Sequence, residues 1–202
     1  MILIISHKTD FSADYVVNIL NQRGTPYRRL NCEDVLNSDL RLSFGPDFSY
    51  SILGEVAYDS VWFRRTKLPE LDLPSAQRAY ILFETDSLLK NLFATIAAKW
   101  LSIPHFVYEA ENKLLQLKAA RDVGFTIPET LVTQSKAELR SFYARHDGNL
   151  IVKPLAQTRL VEKENASFIF TNRLAGDVFS RLDDLDLSPC VFQKNIPKDY
   201  EL

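Results

Sequence analysis

The chain has 202 residues, of which 46% are hydrophobic and 25% are charged, values typical of a globular protein with one large or two small domains. Its 24 basic and 26 acidic side chains give a net charge of −2, which excludes the strongly basic composition of many nucleic-acid-binding proteins. The apolar start, residues 1–5, is too short for a signal-peptide core, and no apolar run approaches the roughly 18 residues that span a bilayer. We therefore expect a cytoplasmic protein that binds neither nucleic acid nor membrane.

The spacing of the six glycines excludes two common nucleotide-binding loops. The closest pair, Gly45 and Gly54, is nine positions apart, whereas those loops need glycines two to five positions apart. A nucleotide would therefore have to be bound by side-chain cations. Cys32 and Cys190 are isolated and the three histidines are scattered, so we expect buried, reduced thiols and no metal site.

The first hundred residues alternate strand and helix signals. Residues 1–5 (MILII) predict an inner strand buried on both faces, and Ser12 and Gly24 predict the N-cap and the end of a helix. Tyr27–Leu30 predicts a second strand, which completes the βαβ unit of a parallel sheet. Later patterns predict hairpin strands in 44–58 and a strand over 60–65.

The strongest helical pattern covers residues 76–101, where apolar side chains recur at helical spacing as far as Trp100. We expect one helix there, packed against the first sheet or another subunit. Arg64 and Arg65 point to opposite faces of their predicted strand. A structural salt bridge is the favoured interpretation for the inward-facing one, with contact to a peptide carboxylate as the alternative.

The helical pattern is interrupted over residues 102–112, a segment that contains Pro104. This interruption predicts a boundary between a domain of residues 1–107 and a domain of residues 108–202. The elements predicted in the second domain are a helix over 113–123, a strand over 130–133, a helix from Ser135 to Tyr143 with Glu138 as capping-box acid, a strand over 150–153, a strand over 167–172, a helix over 177–182 and a strand over 190–196.

Two lysines are the first candidates for a binding site. Lys153 ends an apolar predicted strand, where its ammonium group needs an anion, an exposed edge or deprotonation. Lys113 begins a predicted helix, where the dipole disfavours a cation unless an anion lies between. Snorkelling or a local ion pair for Lys153 and a solvated position for Lys113 are the simpler interpretations. The two lysines together suggest a shared anionic ligand.

Three segments together resemble the front half of an ATP-grasp fold: ENKLLQLKAARDVGFTIPETLVT, NLIVKPL and VFQKNIPKDYEL. The segments ILIISHKTDFSADYVVNIL and DSVWFRRTKLP are similar to the pre-ATP-grasp domain of microviridin-type (MvdD-like) peptide maturases. These are graspetide ligases, which join side chains of a ribosomally made precursor peptide. The resemblance covers essentially the whole chain. It implies an α/β fold, with a Rossmann-like pre-ATP-grasp domain followed by an incomplete α+β ATP-grasp unit.

The resemblance also implies a set of ATP contacts. Lys113 and Lys153 would contact the phosphates. Residues 193–196 would line the adenine pocket, where Asn195 and Ile196 would contribute backbone contacts. Lys194 stands where the family usually has Glu, so recognition of the adenine amino group by that side chain is not expected to follow the family. The residues assigned to ATP are Lys113, Lys153, Gln193, Lys194, Asn195 and Ile196.

The implied activity is ATP-dependent joining of a carboxylate to an amine or hydroxyl of a precursor peptide through an acyl phosphate. The family's Mg²⁺ ligands and transition-state arginines lie beyond Leu202, so we expect a truncated member that holds ATP and catalyses poorly by itself. The alternatives are a non-catalytic peptide-binding or dimerisation module and an ATP-grasp ligase acting on amino acids or protein tails. A homo-oligomer is expected, and no catalytic residue is assigned.

Overall fold

The chain divides into two compact units, Met1–Glu111 and Asn112–Leu202. The computed structural model describes residues 1–156, 159–162, 165–168, 170–177 and 188–198. The predicted boundary at residue 107 falls within a helix, Pro104–Ala110, that belongs to the first unit.

A four-stranded parallel sheet organises the first unit, in the order β2-β1-β5-β6. β1 lies between two partners and four of its five residues are buried, which confirms the inner strand predicted from MILII. The predicted hairpin is present as β3 and β4, paired antiparallel and starting earlier than expected. The strands of this unit are β1 Ile2–Ser6, β2 Tyr27–Asn31, β3 Leu40–Phe44, β4 Phe48–Ile52, β5 Ser60–Phe63 and β6 Lys99–Leu101.

Helices cover both faces of this parallel sheet. The helices of the unit are α1 Phe11–Gln22, α2 Ser75–Thr95 and α3 Pro104–Ala110. Because successive side chains of a strand point to opposite faces, Leu3 and Ile5 pack in the core with Leu89 and Leu92 of α2. Ile2 and Ile4 face the opposite side, where Val16 and Leu20 of α1 lie beside them.

The predicted helix over residues 76–101 is wrong at its C-terminal end. α2 stops at Thr95, Ile96 is extended, and Trp100 lies on β6, which pairs with β5. The Trp100 indole donates to the Ile96 carbonyl at 3.2 Å. Pairing with a distant strand therefore overrides a helical pattern that continues through Trp100.

The predicted N-cap of α1 is also wrong, because Asp10 rather than Ser12 performs that role. The Asp10 carboxylate accepts hydrogen bonds from the amides of Ser12 and Ala13 at 3.1 and 3.3 Å. It also forms a salt bridge with Arg64 at 3.2 Å, which confirms the predicted structural salt bridge. A buried carboxylate thus joins the start of α1 to the end of β5.

A four-stranded antiparallel sheet organises the second unit, in the order β11-β8-β12-β7. β12 lies between β7 and β8, and α5 packs on the sheet through Leu139 and Phe142. β9 and β10 form a separate hairpin. The elements are α4 Lys113–Asp122, β7 Thr130–Thr133, α5 Lys136–Arg145, β8 Leu150–Lys153, β9 Arg159–Glu162, β10 Asn165–Phe168, β11 Asn172–Arg173 and β12 Cys190–Lys194.

Several predictions for this unit are confirmed and two need correction. β7, β8, the start of α4 and the Ser135 N-cap are as predicted. The Glu138 carboxylate, however, accepts from the Thr133 hydroxyl rather than completing a capping box. The single strand predicted over 167–172 is wrong, because its two ends belong to β10 and β11, which pair in different sheets. Most of the helix predicted over 177–182 lies outside the described residues.

The predicted α/β fold class is confirmed, with parallel pairing in the first unit and antiparallel pairing in the second. Both cysteines are free. Cys32 is fully buried, and burial raises its pKa to about 12, whereas Cys190 is only half-buried. Within the described ranges, no helix has both the length and the apolar character needed to cross a membrane.

Candidate functional site

Lys153 lies at the end of β8 and faces a side chain of β12. Its strand partner is Val191, and Gln193 lies two residues further along on the same face of the sheet. The Lys153 ammonium nitrogen, Nζ, donates to the Gln193 side-chain oxygen, Oε1, at 2.8 Å. In the part of the chain that the structure describes, Lys153 has no carboxylate partner. Burial lowers the pKa of Lys153, and the positive charges of Lys113 and Lys198 lower it further.

Lys113 reaches the same region from the first turn of α4. The Asn112 side chain caps this helix by accepting from the amides of residues 114 and 115 at 3.0 and 3.1 Å. Lys113 Nζ then donates to the backbone carbonyls of Pro154 and Leu155 at 2.6 and 3.0 Å. The residues immediately after β8 therefore hold Lys113 through neutral oxygen atoms.

Gln193 is a buried polar residue that is 4% exposed. Its side-chain nitrogen, Nε2, donates to the Thr130 hydroxyl at 2.9 Å, and that hydroxyl donates to the Pro128 carbonyl at 2.9 Å. Both ends of the amide are therefore bonded. Lys153 thus contacts Gln193 directly, and Lys113 contacts the two residues that follow Lys153.

The backbone after β12 is already partly used by the protein. The amide of Lys194 donates to the Glu129 carbonyl and the amide of Asn195 to the Asn149 carbonyl, both at 2.9 Å. The side chain of Lys194 is exposed. Among the described residues, no group accepts from the amide of Ile196, whose side chain is 53% exposed. Of Asn195 and Ile196, Ile196 is thus the one whose amide has no acceptor among the described residues.

Among the described residues, the ammonium groups of Lys113 and Lys153 contact only neutral oxygens, which leaves their positive charge available to a ligand. Hydrogen bonds to amide and carbonyl oxygens fix such groups in place without cancelling their charge. The arrangement therefore fits a polyanion such as a phosphate chain. Within the described ranges, no group of three or more His, Cys, Asp or Glu side chains could hold a metal ion, so no residue is assigned to Mg²⁺.

Sequence reasoning missed Thr130 and Lys198 as members of this region. Thr130 orients Gln193 through a hydrogen bond across β7 and β12, and it lies within the ENKLLQLKAARDVGFTIPETLVT segment on which the resemblance rests. Lys198 acts on Lys153 through its charge, and it lies within the VFQKNIPKDYEL segment on which the resemblance rests.

Comparison with solved structures identifies the architecture. No protein-family profile and no curated protein sequence matches the chain. The structure is similar to macrocyclase MdnC from Microcystis aeruginosa MRC, bound with precursor peptide MdnA, with a TM-score of 0.86 and 22% identity over 98% of this chain and 69% of that one. It is also similar to a RiPP-associated ATP-grasp ligase from Chryseobacterium gregarium, in complex with ADP and a leader and core peptide. The TM-score is 0.82 and the sequence identity 27%, over 98% of this chain and 63% of that one.

This chain has the fold of these two proteins, a macrocyclase and an ATP-grasp ligase. Macrocyclase MdnB from Microcystis aeruginosa MRC is similar as well, with a TM-score of 0.77 and 29% identity over 98% of this chain and 68% of that one. The resemblance to the ATP-grasp peptide maturases predicted from the sequence is thereby confirmed. The chain spans 63% to 69% of the length of these three proteins.

Proposed function

We propose that this chain forms the ATP-holding part of an ATP-grasp ligase that modifies a ribosomally made precursor peptide. The observation that carries the proposal is that Lys113 contacts the two residues that follow Lys153, while neutral oxygens hold both lysines. Two of the similar solved structures support it, because the Chryseobacterium gregarium ligase is in complex with ADP and a leader and core peptide, and MdnC is bound with its precursor peptide MdnA.

In this proposal the two lysines bind the phosphates of ATP. A triphosphate carries several negative charges, and each charge-assisted contact contributes about 1.5–3 kcal/mol. The open amide of Ile196 is the best-placed backbone donor for the adenine, because the amides of Lys194 and Asn195 are already bonded. The assignment of residues 1–107 and 108–202 to pre-ATP-grasp and ATP-grasp domains is part of the same proposal.

The proposed reaction has two steps. A peptide carboxylate oxygen forms a bond to the γ-phosphorus of ATP as the bond to ADP breaks, which yields an acyl phosphate and ADP. A hydroxyl or amine of the peptide then attacks the acyl carbon, gives up its proton, and expels inorganic phosphate to leave an ester or amide. Mg²⁺ would offset phosphate charge in such a transfer, but no described residue is assigned to it.

Calorimetric titration with ATP and ADP tests the proposal. The double variant Lys113→Ala/Lys153→Ala should bind ATP at least about a hundredfold more weakly than the wild type. The matched control is Lys90→Ala/Lys118→Ala, which removes the same charge from exposed lysines paired with Asp86 and Asp122, and it should bind normally. Failure of the wild type to bind either nucleotide, or equal loss in both double variants, would overturn the proposal.

The peptide part of the proposal needs its own measurement. If this chain catalyses the reaction as well as holding ATP, incubation with ATP and a candidate precursor peptide should remove one water from the peptide for each bond formed, as seen by mass spectrometry. Binding of the peptide without any mass loss is expected both of an ATP-holding part alone and of the non-catalytic peptide-binding module, and the ATP titration separates these two. Light scattering of the same sample tests the expected self-association.

A further inference from the structure

We propose that Gln193 is a positioning residue, whose side-chain amide holds the Lys153 ammonium group in place for phosphate without neutralising its charge. The inference rests on the proposed function. It replaces the adenine-pocket role that the resemblance implies for Gln193 with a role that acts through Lys153.

The register of the sheet brings the two side chains together. Val191 lies opposite Lys153 and Gln193 opposite Ile151, so Lys153 and Gln193 are diagonal neighbours on one face of adjacent strands. Gln193 is 4% exposed and Lys153 is half-buried. The 2.8 Å contact between Nζ and Oε1 therefore forms away from bulk water, where a hydrogen bond is stronger.

A directional chain of hydrogen bonds fixes the orientation of the amide. An ammonium group can only donate, so Gln193 must present its oxygen to Lys153 and its NH₂ group to Thr130. The Thr130 hydroxyl accepts from that NH₂ group and sends its own hydrogen to the Pro128 carbonyl. A flipped amide would place two donors face to face and break two of these bonds.

The neutrality of glutamine is what suits it to this position. A glutamate of the same shape would form an ion pair with Lys153 and cancel the charge that a phosphate needs. The carbonyls of Pro154 and Leu155 hold Lys113 in the same uncharged manner. Both cations are thus fixed in position and remain uncompensated by carboxylates in the described part of the chain.

The test compares Gln193→Glu with wild type, using tripolyphosphate, adenosine and ATP as separate probes in calorimetric titrations. If Gln193 acts through Lys153, the variant should bind tripolyphosphate and ATP about 10- to 100-fold more weakly and adenosine equally well. Its thermal midpoint should stay the same or rise, because the new ion pair stabilises the folded chain. The matched control is Gln77→Glu, which adds the same charge at an exposed position of α2 and should behave as wild type.

Several outcomes would overturn the inference. Unchanged tripolyphosphate binding in Gln193→Glu would do so, as would a loss confined to adenosine and ATP, which indicates the adenine pocket. If that variant does not fold, Gln193→Met takes its place and should weaken tripolyphosphate about three- to tenfold; full binding would again refute the role. Normal binding by Gln193→Glu beside weak binding by Lys153→Ala refutes this inference alone, whereas absence of nucleotide binding in the wild type refutes the proposed function as well.

Discussion

The two units treat their partly buried cations in opposite ways. In the first unit, Arg64 pairs with the Asp10 carboxylate and Arg29 with that of Asp14. In the second unit, Lys113 and Lys153 contact only amide and carbonyl oxygens among the described residues. Among the described residues, partly buried cations are therefore paired with carboxylates in the first unit and left without a carboxylate partner in the second.

This difference separates a structural role from a binding role. A cation paired with a carboxylate stabilises the fold, and its removal leaves a buried charge without a partner. A cation held by neutral groups adds little to the fold, and its removal relieves a desolvation cost. Loss of a cation–carboxylate pair in the first unit should thus change stability, and loss of either lysine in the second unit should change ligand affinity.

The largest expected effect is on the stability of the first unit. Asp10→Ala removes the cap of α1 and leaves Arg64 without its partner, so the free energy of unfolding should fall by about 3 kcal/mol. Denaturant unfolding followed by circular dichroism measures the change. Asp14→Ala, which removes a more exposed partner of Arg29, is the comparison and should cost about 1 kcal/mol or less. Equal costs for the two variants would contradict a structural role for the Asp10–Arg64 pair.

In the second unit, Lys153→Ala should weaken ATP binding about 10- to 100-fold, because one charge-assisted phosphate contact is lost. Its free energy of unfolding should stay the same or rise, since a desolvated ammonium group is removed. Lys118→Ala, at an exposed position of α4, is the control for both measurements. Unfolding of Lys153→Ala would instead identify Lys153 as a structural residue.

The pH dependence of unfolding tests the structural role of the Asp10 carboxylate in the first unit. Burial alone raises the pKa of the Asp10 carboxyl, but hydrogen bonds from Ser6, Arg64 and the Ala13 amide outweigh it and lower the pKa to about 2. A folded-state pKa below the unfolded value of about 4 stabilises the fold fully above that value, and the contribution disappears as the pH falls towards 2. The free energy of unfolding should therefore fall by about 2 kcal/mol between pH 4 and pH 2 in the wild type because of this carboxyl group. This acid-dependent loss, or acid limb, should be absent from Asp10→Asn. An identical limb in both proteins would assign it to other carboxylates.

The smallest expected effect is a difference of about 1 kcal/mol between two glycines, one of which lies in the turn that leads into β8. Gly148 has a φ of +74°, and an added Cβ would lie 2.7 Å from the Tyr143 hydroxyl oxygen. Gly124 also has a positive φ, +92°, but open space around it. Gly148→Ala should therefore destabilise the chain by about 2 kcal/mol and Gly124→Ala by about 1 kcal/mol. Thermal unfolding of both variants measures the difference, and a larger cost at Gly124 would contradict the crowding at Tyr143.

Local patterns were sufficient for much of the fold. The apolar run of β1 and the strand LIVK predicted buried strands at the correct positions. Caps were almost as informative, because Ser135 starts α5 as expected. The error at the start of α1 arose because two capping residues, Asp10 and Ser12, stand close together and only the surrounding contacts decide between them.

What could not be predicted depends on residues far apart in sequence. Trp100 continues a helical pattern, but its strand is decided by pairing with β5, about forty residues earlier. The local sequence around Lys153 allowed an anion, an exposed edge or a neutral state. The partner that the structure shows, the Gln193 amide, lies forty positions away, and the resemblance had assigned Gln193 to the adenine pocket.

The position of β12 between β7 and β8 determines the order in which the strands of this sheet can pair during translation. Both partners of β1 end by residue 63, so the first sheet can begin to assemble early in translation. β7 and β8 gain their shared neighbour only when residues 190–194 emerge. At about 5–20 residues per second, the synthesis of Gln193 follows that of Lys153 by about two to eight seconds, so the contact that holds Lys153 cannot form before then.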